Sequence, residues 1–162
     1  MSDITLRPAT VDDGLAVHKL VVDTGVLDEN SVYAYCAVFR HFPGASVVAC
    51  RGDDIVGFVM GHPLPERPDH YFLWQVGVSE AARGVGLATR LLGWVVDNVS
   101  GTRFIETTIT PDNTASRRLF RGFAAKRSTD IASSPGLSAA QLGPGHLPEE
   151  LFLLGPFDRS TT

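Results

Sequence analysis

The chain has 162 residues, 44% of them hydrophobic and 20% charged, and a formal net charge of −4, which suits one domain built on one core. No stretch is rich in lysine and arginine, which argues against nucleic-acid binding, and no apolar run approaches the ~20 residues of a membrane span. The opening MSDITLRPATVDD lacks the apolar core of a leader peptide, and Cys36 and Cys50 stand in no CxxC or Cys/His cluster, so buried free thiols in a cytoplasmic protein are expected.

ITLRPA (Ile4–Ala9) alternates and is expected as a first strand. Thr10 reads as the N-cap of a first helix with Asp12 and Asp13 in its first turn. Leu15, Val17, Leu20 and Val21 would be its apolar positions, and Gly25 its end. Asp28–Ser31 form a polar corner, from which Ser31 caps a second helix through Val32, Tyr35, Val38 and Phe39 that ends before Pro43. SVVAC (Ser46–Cys50), the turn RGDD (Arg51–Asp54) and IVGFVMGHPL (Ile55–Leu64) make a hairpin. PERPD (Pro65–Asp69) reads as a loop and HYFLWQVGV (His70–Val78) as a long strand buried on both faces. A glycine turn leads into a helix over Leu87–Val99 with Leu91, Leu92, Trp94 and Val95 inward.

RFIETTIT (Arg103–Thr110) is a β-branched strand stopped by Pro111, and Asp112–Asn113 open a fourth helix through Leu119 and Phe120. Ala132–Pro148 holds most of the late Gly, Pro and Ser and reads as a long surface loop. Glu149–Phe157 reads as a closing strand and Asp158–Thr162 as a frayed tail. The order β-α-α-β-β-β-α-β-α-β is that of a mixed α/β sheet in a single domain spanning residues 1–162.

RGVGLA (Arg83–Ala88) lies where a strand gives way to a helix, and its glycines bare backbone N–H groups at the helix start, a setting for an anion. A P-loop would need GxxxxGK[ST], and no lysine follows. A dinucleotide fingerprint would need a third glycine, and Thr89 stands there. The third possibility is the pyrophosphate of acetyl-coenzyme A.

RGVGLA fits R-G-x-G-x-A, and downstream NTASRRLF (Asn113–Phe120) fits N-x-x-[AS]-x-x-L-[FY]. On these two segments the chain resembles the GNAT N-acetyltransferase family. The resemblance implies the acyl-CoA N-acyltransferase fold: a mixed, mostly antiparallel sheet flanked by helices, with splayed central strands that admit acetyl-CoA as co-substrate. It implies that backbone groups of Gln75, Val76 and Val78 meet the pantetheine arm. It also implies that Arg83, Gly84, Gly86, Leu87 and Ala88 hold the pyrophosphate, and that Asn113 and Phe120 flank the arm. Asn113 reads equally well as a plain helix cap. Phe120 departs from the many members that carry tyrosine there as acid for the leaving thiolate, because phenylalanine has no proton to donate.

Asp23–Tyr35, Pro65–Leu92, Phe104–Phe120 and His146–Phe157 resemble, more narrowly, the diaminobutyrate acetyltransferases of ectoine biosynthesis, and Ser128–Gly145 is poorly matched. The narrower resemblance implies transfer of acetyl from acetyl-CoA to the γ-amine of L-2,4-diaminobutyrate by direct amine attack, in a homodimer. Trp74 is then a candidate to hold a substrate ammonium by a cation–π contact. Asp28 is a candidate partner for the same group, and Tyr33, ahead of Tyr35, for a hydroxyl contact. Thr108 is a candidate for the substrate carboxylate; alternation puts it on one face with Glu106. The amine ionises near ~10, like lysine, and must lose a proton first. Glu149, within HLPE, is the candidate base ahead of Glu150. No Ser or Cys has an evident base beside it, so no acyl-enzyme is expected. His18, His41, His62 and His70 lack ligand spacing, so no metal is expected. A GNAT enzyme for another small diamine or amino acid, and a non-catalytic coenzyme-A sensor, share the same coenzyme motifs.

Overall fold

A computed structural model describes residues 3–158, so residues 159–162 of the expected tail lie outside it. Seven strands follow the order β1-β2-β3-β4-β5-β7-β6. The β1–β2, β2–β3, β5–β7 and β6–β7 pairs are antiparallel and β4–β5 is parallel. The strands are β1 (Ile4–Pro8), β2 (Val47–Arg51), β3 (Asp54–Leu64), β4 (Arg67–Val78), β5 (Phe104–Ile109), β6 (Ile131–Leu137) and β7 (Glu149–Leu154). The chain forms two compact units, Met1–His62 with Leu73–Ser100, and Pro63–Phe72 with Gly101–Thr162. β4 contributes its first half to one and its second half to the other.

In the first unit Thr10 and Asp13 form a capping box, and a 3-10 turn over Val11–Asp13 runs into α1 (Gly14–Thr24). Arg7 grips Asp13 with two 2.8 Å hydrogen bonds. That grip, helped by the Thr10 N–H, holds the Asp13 carboxyl below its ordinary value against the opposing pull of burial. Val17, Leu20 and Val21 share one helical face and are buried. Leu15, two residues from Val17 and so about 200° around the helix, is 67% exposed rather than inward. Ser31 caps α2 (Val32–His41) by accepting from the Ala34 N–H at 3.1 Å. Tyr35, Val38 and Phe39 of α2 join Val17, Val21, Phe58 and Met60 in one core cluster.

β4 starts at Arg67, inside the segment expected as a loop. It is not buried on both faces. Tyr71, Leu73, Gln75 and Gly77 are buried, and Phe72, Trp74, Val76 and Val78 between them are not. From Tyr71 to Val78 the strand is strictly two-sided although all but Gln75 of these residues are apolar or glycine. α3 (Leu87–Asn98) buries Leu91, Leu92, Val95 and Val96 and leaves Trp94 half-buried.

In the second unit the β4–β5 ladder has three pairs, His70–Phe104, Tyr71–Ile105 and Phe72–Glu106. α4 (Thr114–Lys126) buries Phe120, Phe123 and Ala124, and the Phe123 ring lies 5.7 Å from that of Phe157. Fully burying such a side chain contributes roughly 1.5–3 kcal/mol. The expected loop over Ala132–Pro148 is instead β6 followed by the one-turn helix α5 (Ala139–Leu142). β6 pairs with β7, but all of it past Ile131 is exposed. A strand with two wet faces has no alternation to betray it.

Candidate functional site

The glycine turn has the geometry its sequence implies. Gly84 and Gly86 sit at φ +79 and +73, a left-handed backbone that glycine adopts without strain. No side chain caps α3, whose N-cap is Gly86. The N–H groups of Leu87, Ala88 and Thr89 precede the first intrahelical bond, from Arg90 N–H to Gly86, and point out of the helix end with its partial positive charge. Arg83 is exposed beside them. Neither glycine Cβ position has an atom within 4 Å, so an anion can approach the backbone closely. These residues fit a pyrophosphate.

β4 carries the next group in the same unit. Trp74 is 44% exposed on one face, so it is not the core aromatic a mid-strand tryptophan commonly is. Gln75, on the other face, is buried and centres a network. The Tyr35 hydroxyl donates to Gln75 Oε1 at 2.7 Å, and Gln75 Nε2 donates to the Asp28 carbonyl at 2.7 Å. Asn30 Nδ2 lies 3.4 Å from Gln75 Oε1. The strand thereby holds the corner that presents the exposed Asp28 side chain. Tyr33, preferred from sequence, is 80% exposed, and its neighbour Tyr35 is the fully buried one. Asn30 and the Gln75 side chain carry no local signal in the sequence, and Tyr35, ranked there behind Tyr33, is the tyrosine that joins them. The available signal was helical phase: Tyr35 lies three and four residues before Val38 and Phe39.

In the second unit Asn113 is the N-cap of α4 and accepts from the Ser116 N–H at 3.0 Å. Its Oδ1 is committed to capping. Phe120 is 2% exposed. On β5 and β7 the register decides which side chains share a face. Thr108 pairs with Leu151 and Glu106 with Leu153. Glu149, two residues before Leu151, shares that face with Thr108 and Glu106. Glu150 points the other way, where Arg117 Nη2 lies 3.0 Å from its Oε1 as an ion pair without hydrogen-bond alignment. The Arg117 Nε donates to the Thr110 carbonyl at 3.3 Å, and its guanidinium covers the Phe152 ring at 5.2 Å. Glu149 and Glu150 also line a cavity of about 520 Å³ with Pro111, Pro148 and the Ser133–Ser138 stretch. Arg67 Nη1 meets Glu106 Oε1 at 2.6 Å. Arg67 and Arg117 were not read as site residues, because nothing local distinguishes an arginine held by a distant carboxylate from a free surface one. Among the described residues no group of three or more His, Cys, Asp or Glu is placed to hold a metal, and no helix is long and apolar enough to cross a membrane.

The model of the acetyltransferase (GNAT) family matches residues 16–124. The L-2,4-diaminobutyric acid acetyltransferase of Halomonas elongata is 43% identical over 159 residues, covering 96% of this chain and 83% of that protein. The enzyme of the same name from Chromohalobacter salexigens is 44% identical over 156 residues, covering 94% and 81%. A solved structure of diaminobutyrate acetyltransferase from Paenibacillus lautus, in complex with its substrate L-2,4-diaminobutyric acid and coenzyme A, superposes with a TM-score of 0.91. The two chains are 36% identical, and each is covered in full.

Proposed function

We propose, from the premise that this chain belongs to the acetyltransferase (GNAT) family, that it is an acetyl-CoA-dependent N-acetyltransferase. It acetylates the γ-amine of L-2,4-diaminobutyrate, as a step of ectoine biosynthesis. The observation that carries the chemistry is the open N-terminus of α3 behind two left-handed glycines. The choice of amine is supported by the likeness over nearly the whole chain to enzymes named for that substrate.

Acetyl-CoA, when bound, supplies a thioester that a neutral amine can attack. The protein's part is to hold, orient and deprotonate. Arg83, Gly84, Gly86, Leu87 and Ala88 take the pyrophosphate on backbone N–H groups and one guanidinium. Gln75, Val76 and Val78 offer backbone groups to the pantetheine arm and polarise the acyl carbonyl. Asn113 borders the arm with the amide nitrogen its cap leaves over, and Phe120 packs the helix that carries it. Asp28 and Tyr33 meet a substrate ammonium from the corner braced by Gln75. The half-exposed Trp74 ring offers a cation its face. Thr108 donates to the substrate carboxylate.

Glu149 removes the proton from the γ-ammonium. Its choice over Glu150 is supported by the strand register, since Glu150 is engaged by Arg117 and Glu149 shares the face of Thr108. The attacking nitrogen displaces the thiolate directly, with no acyl-enzyme; the second proton that the nitrogen sheds on becoming an amide balances the departing sulfur, which leaves as the coenzyme-A thiol. On the same reading the chain is one domain, acts in the cytoplasm and pairs as a homodimer. Family likeness supports these points, and light scattering tests the last.

The deciding experiment measures coenzyme-A release from acetyl-CoA with L-2,4-diaminobutyrate and locates the acetyl group by NMR. Acetyl on the γ-nitrogen is the expected result. Release only with another amine would discard the substrate, and no release with any amine would discard the enzyme.

A further inference from the structure

One buried charge has no part in the reaction so far. Glu106 lies in β5, between β4 and β7 in the strand order, and is 6% exposed. Taking a carboxylate out of water costs stability that a threonine or valine at the same position would not. Its partner is Arg67, at 2.6 Å, whose side chain is 54% exposed. The pair is thus asymmetric: a sunken carboxylate holds an outer, half-exposed guanidinium at Nη1. Such an anchor restrains a long, flexible side chain to one direction while part of its donor fork stays exposed.

The direction matters because of what shares that face. Glu106 and Thr108 on β5, and Glu149 on β7, project to the same side of their strands. Arg67, bonded to Glu106, reaches that side too. Arg117, the nearest cation of α4 to this strand pair, is taken up by Glu150 on the opposite side. A face bearing a threonine hydroxyl and a proposed base therefore also carries one restrained positive charge.

We infer that Arg67, oriented by Glu106, recognises the α-carboxylate of the amino-acid substrate and sets the preference for it over carboxylate-free diamines. The inference rests on the function proposed above, and it names the specificity residue of that same site. A carboxylate leaving water needs a charge-assisted partner, and a lone threonine hydroxyl is a neutral donor. The planar guanidinium fork supplies the charge with matching geometry. A diamine without the carboxylate leaves that guanidinium with its Glu106 bond alone and gains nothing from it.

The test compares kcat/KM for L-2,4-diaminobutyrate and for 1,3-diaminopropane, the same diamine without its carboxylate. Wild type, Arg67→Gln, Arg67→Lys and Glu106→Gln are assayed. Arg67→Gln is expected to lower kcat/KM for diaminobutyrate by about 30–100-fold through KM, the scale of one charged hydrogen bond, and to leave diaminopropane within about 3-fold. Arg67→Lys should recover part of the loss. Glu106→Gln should show the same substrate pattern more weakly; if it fails to fold, the Arg67 variants carry the test. An equal loss on both substrates would mark Arg67 as structural and overturn the inference, as would no loss on diaminobutyrate. A wild type that turns over no diaminobutyrate would instead sink the proposed function, and this inference with it.

Discussion

Replacing Tyr35 by phenylalanine removes one oxygen from the interior of the first unit and leaves the ring in place. That ring is fully buried, with edge contacts to Phe58 at 6.1 Å between centroids. The loss is the 2.7 Å hydrogen bond to Gln75 Oε1, together with the long 3.5 Å bond the hydroxyl accepts from Asn30 Nδ2. A hydrogen bond contributes about 0.5–1.5 kcal/mol net, and a buried acceptor left unsatisfied costs about 1–3 kcal/mol. Asn30, 3.4 Å from the same oxygen, compensates in part. Tyr35→Phe is therefore expected to destabilise by about 1.5 kcal/mol and to lower Tm by about 3–6 °C. Urea titration measures it as a fall in midpoint at constant m. Gln75→Met removes the acceptor and also the 2.7 Å tie to the Asp28 carbonyl. With both partners replaced, the pair's penalties no longer add, and the double variant should fall short of the sum by about 1 kcal/mol. An additive cycle, or a Tyr35→Phe change below about 0.3 kcal/mol, would refute the account, because Gln75 would then owe nothing to the tyrosine.

Gly86→Ala forces a left-handed backbone at φ +73 on a residue with a Cβ, a cost of roughly 1–2 kcal/mol. It also crowds the anion, so the KM for acetyl-CoA is expected to rise about 10-fold or more with kcat little changed, as steady-state kinetics would read. Asp13→Asn tests the grip of Arg7. Because folding lowers the Asp13 pKa, its contribution is complete above the ordinary value of 3.8 and fades as pH falls through the folded value. Wild type should exceed the variant by about 1–2 kcal/mol at pH 7, discounted because Arg7 is half-exposed. The gap should close below about pH 4 in urea titrations run across pH. Glu149→Gln should lower kcat by about 10²–10⁴-fold and shift the urea midpoint hardly at all. A variant that keeps more than a tenth of kcat would remove Glu149 as the base.

Local chemistry was readable wherever a residue does one job within its own segment. Ser31 and Asn113 cap the helices they precede, and Gly84 and Gly86 take the left-handed backbone that their motif requires. What stayed hidden depends on partners far along the chain. Tyr35 is distinguished from Tyr33 by Gln75, forty residues on, and Glu106 is explained by Arg67. β6 escaped because its order comes from β7 alone, while its own residues are the Ser, Pro and Gly of a turn. Trp74 was ambiguous for a related reason: an apolar strand does not announce which of its two faces is covered, and only tertiary packing decides.

The two-sidedness of β4 constrains how its length can drift. Trp74 faces out and Gln75 faces in, and the two belong to different tasks. Inserting or deleting one residue upstream within the strand would exchange them, sending the indole toward the Asp28 corner and the amide to the open side. Both duties would fail in one event, so indels in this strand are tolerable only in twos. The exposed turn over 144–145, ahead of the HLPE stretch, carries no such parity rule. Sequence length among functional relatives should therefore vary there and not between Arg67 and Val78.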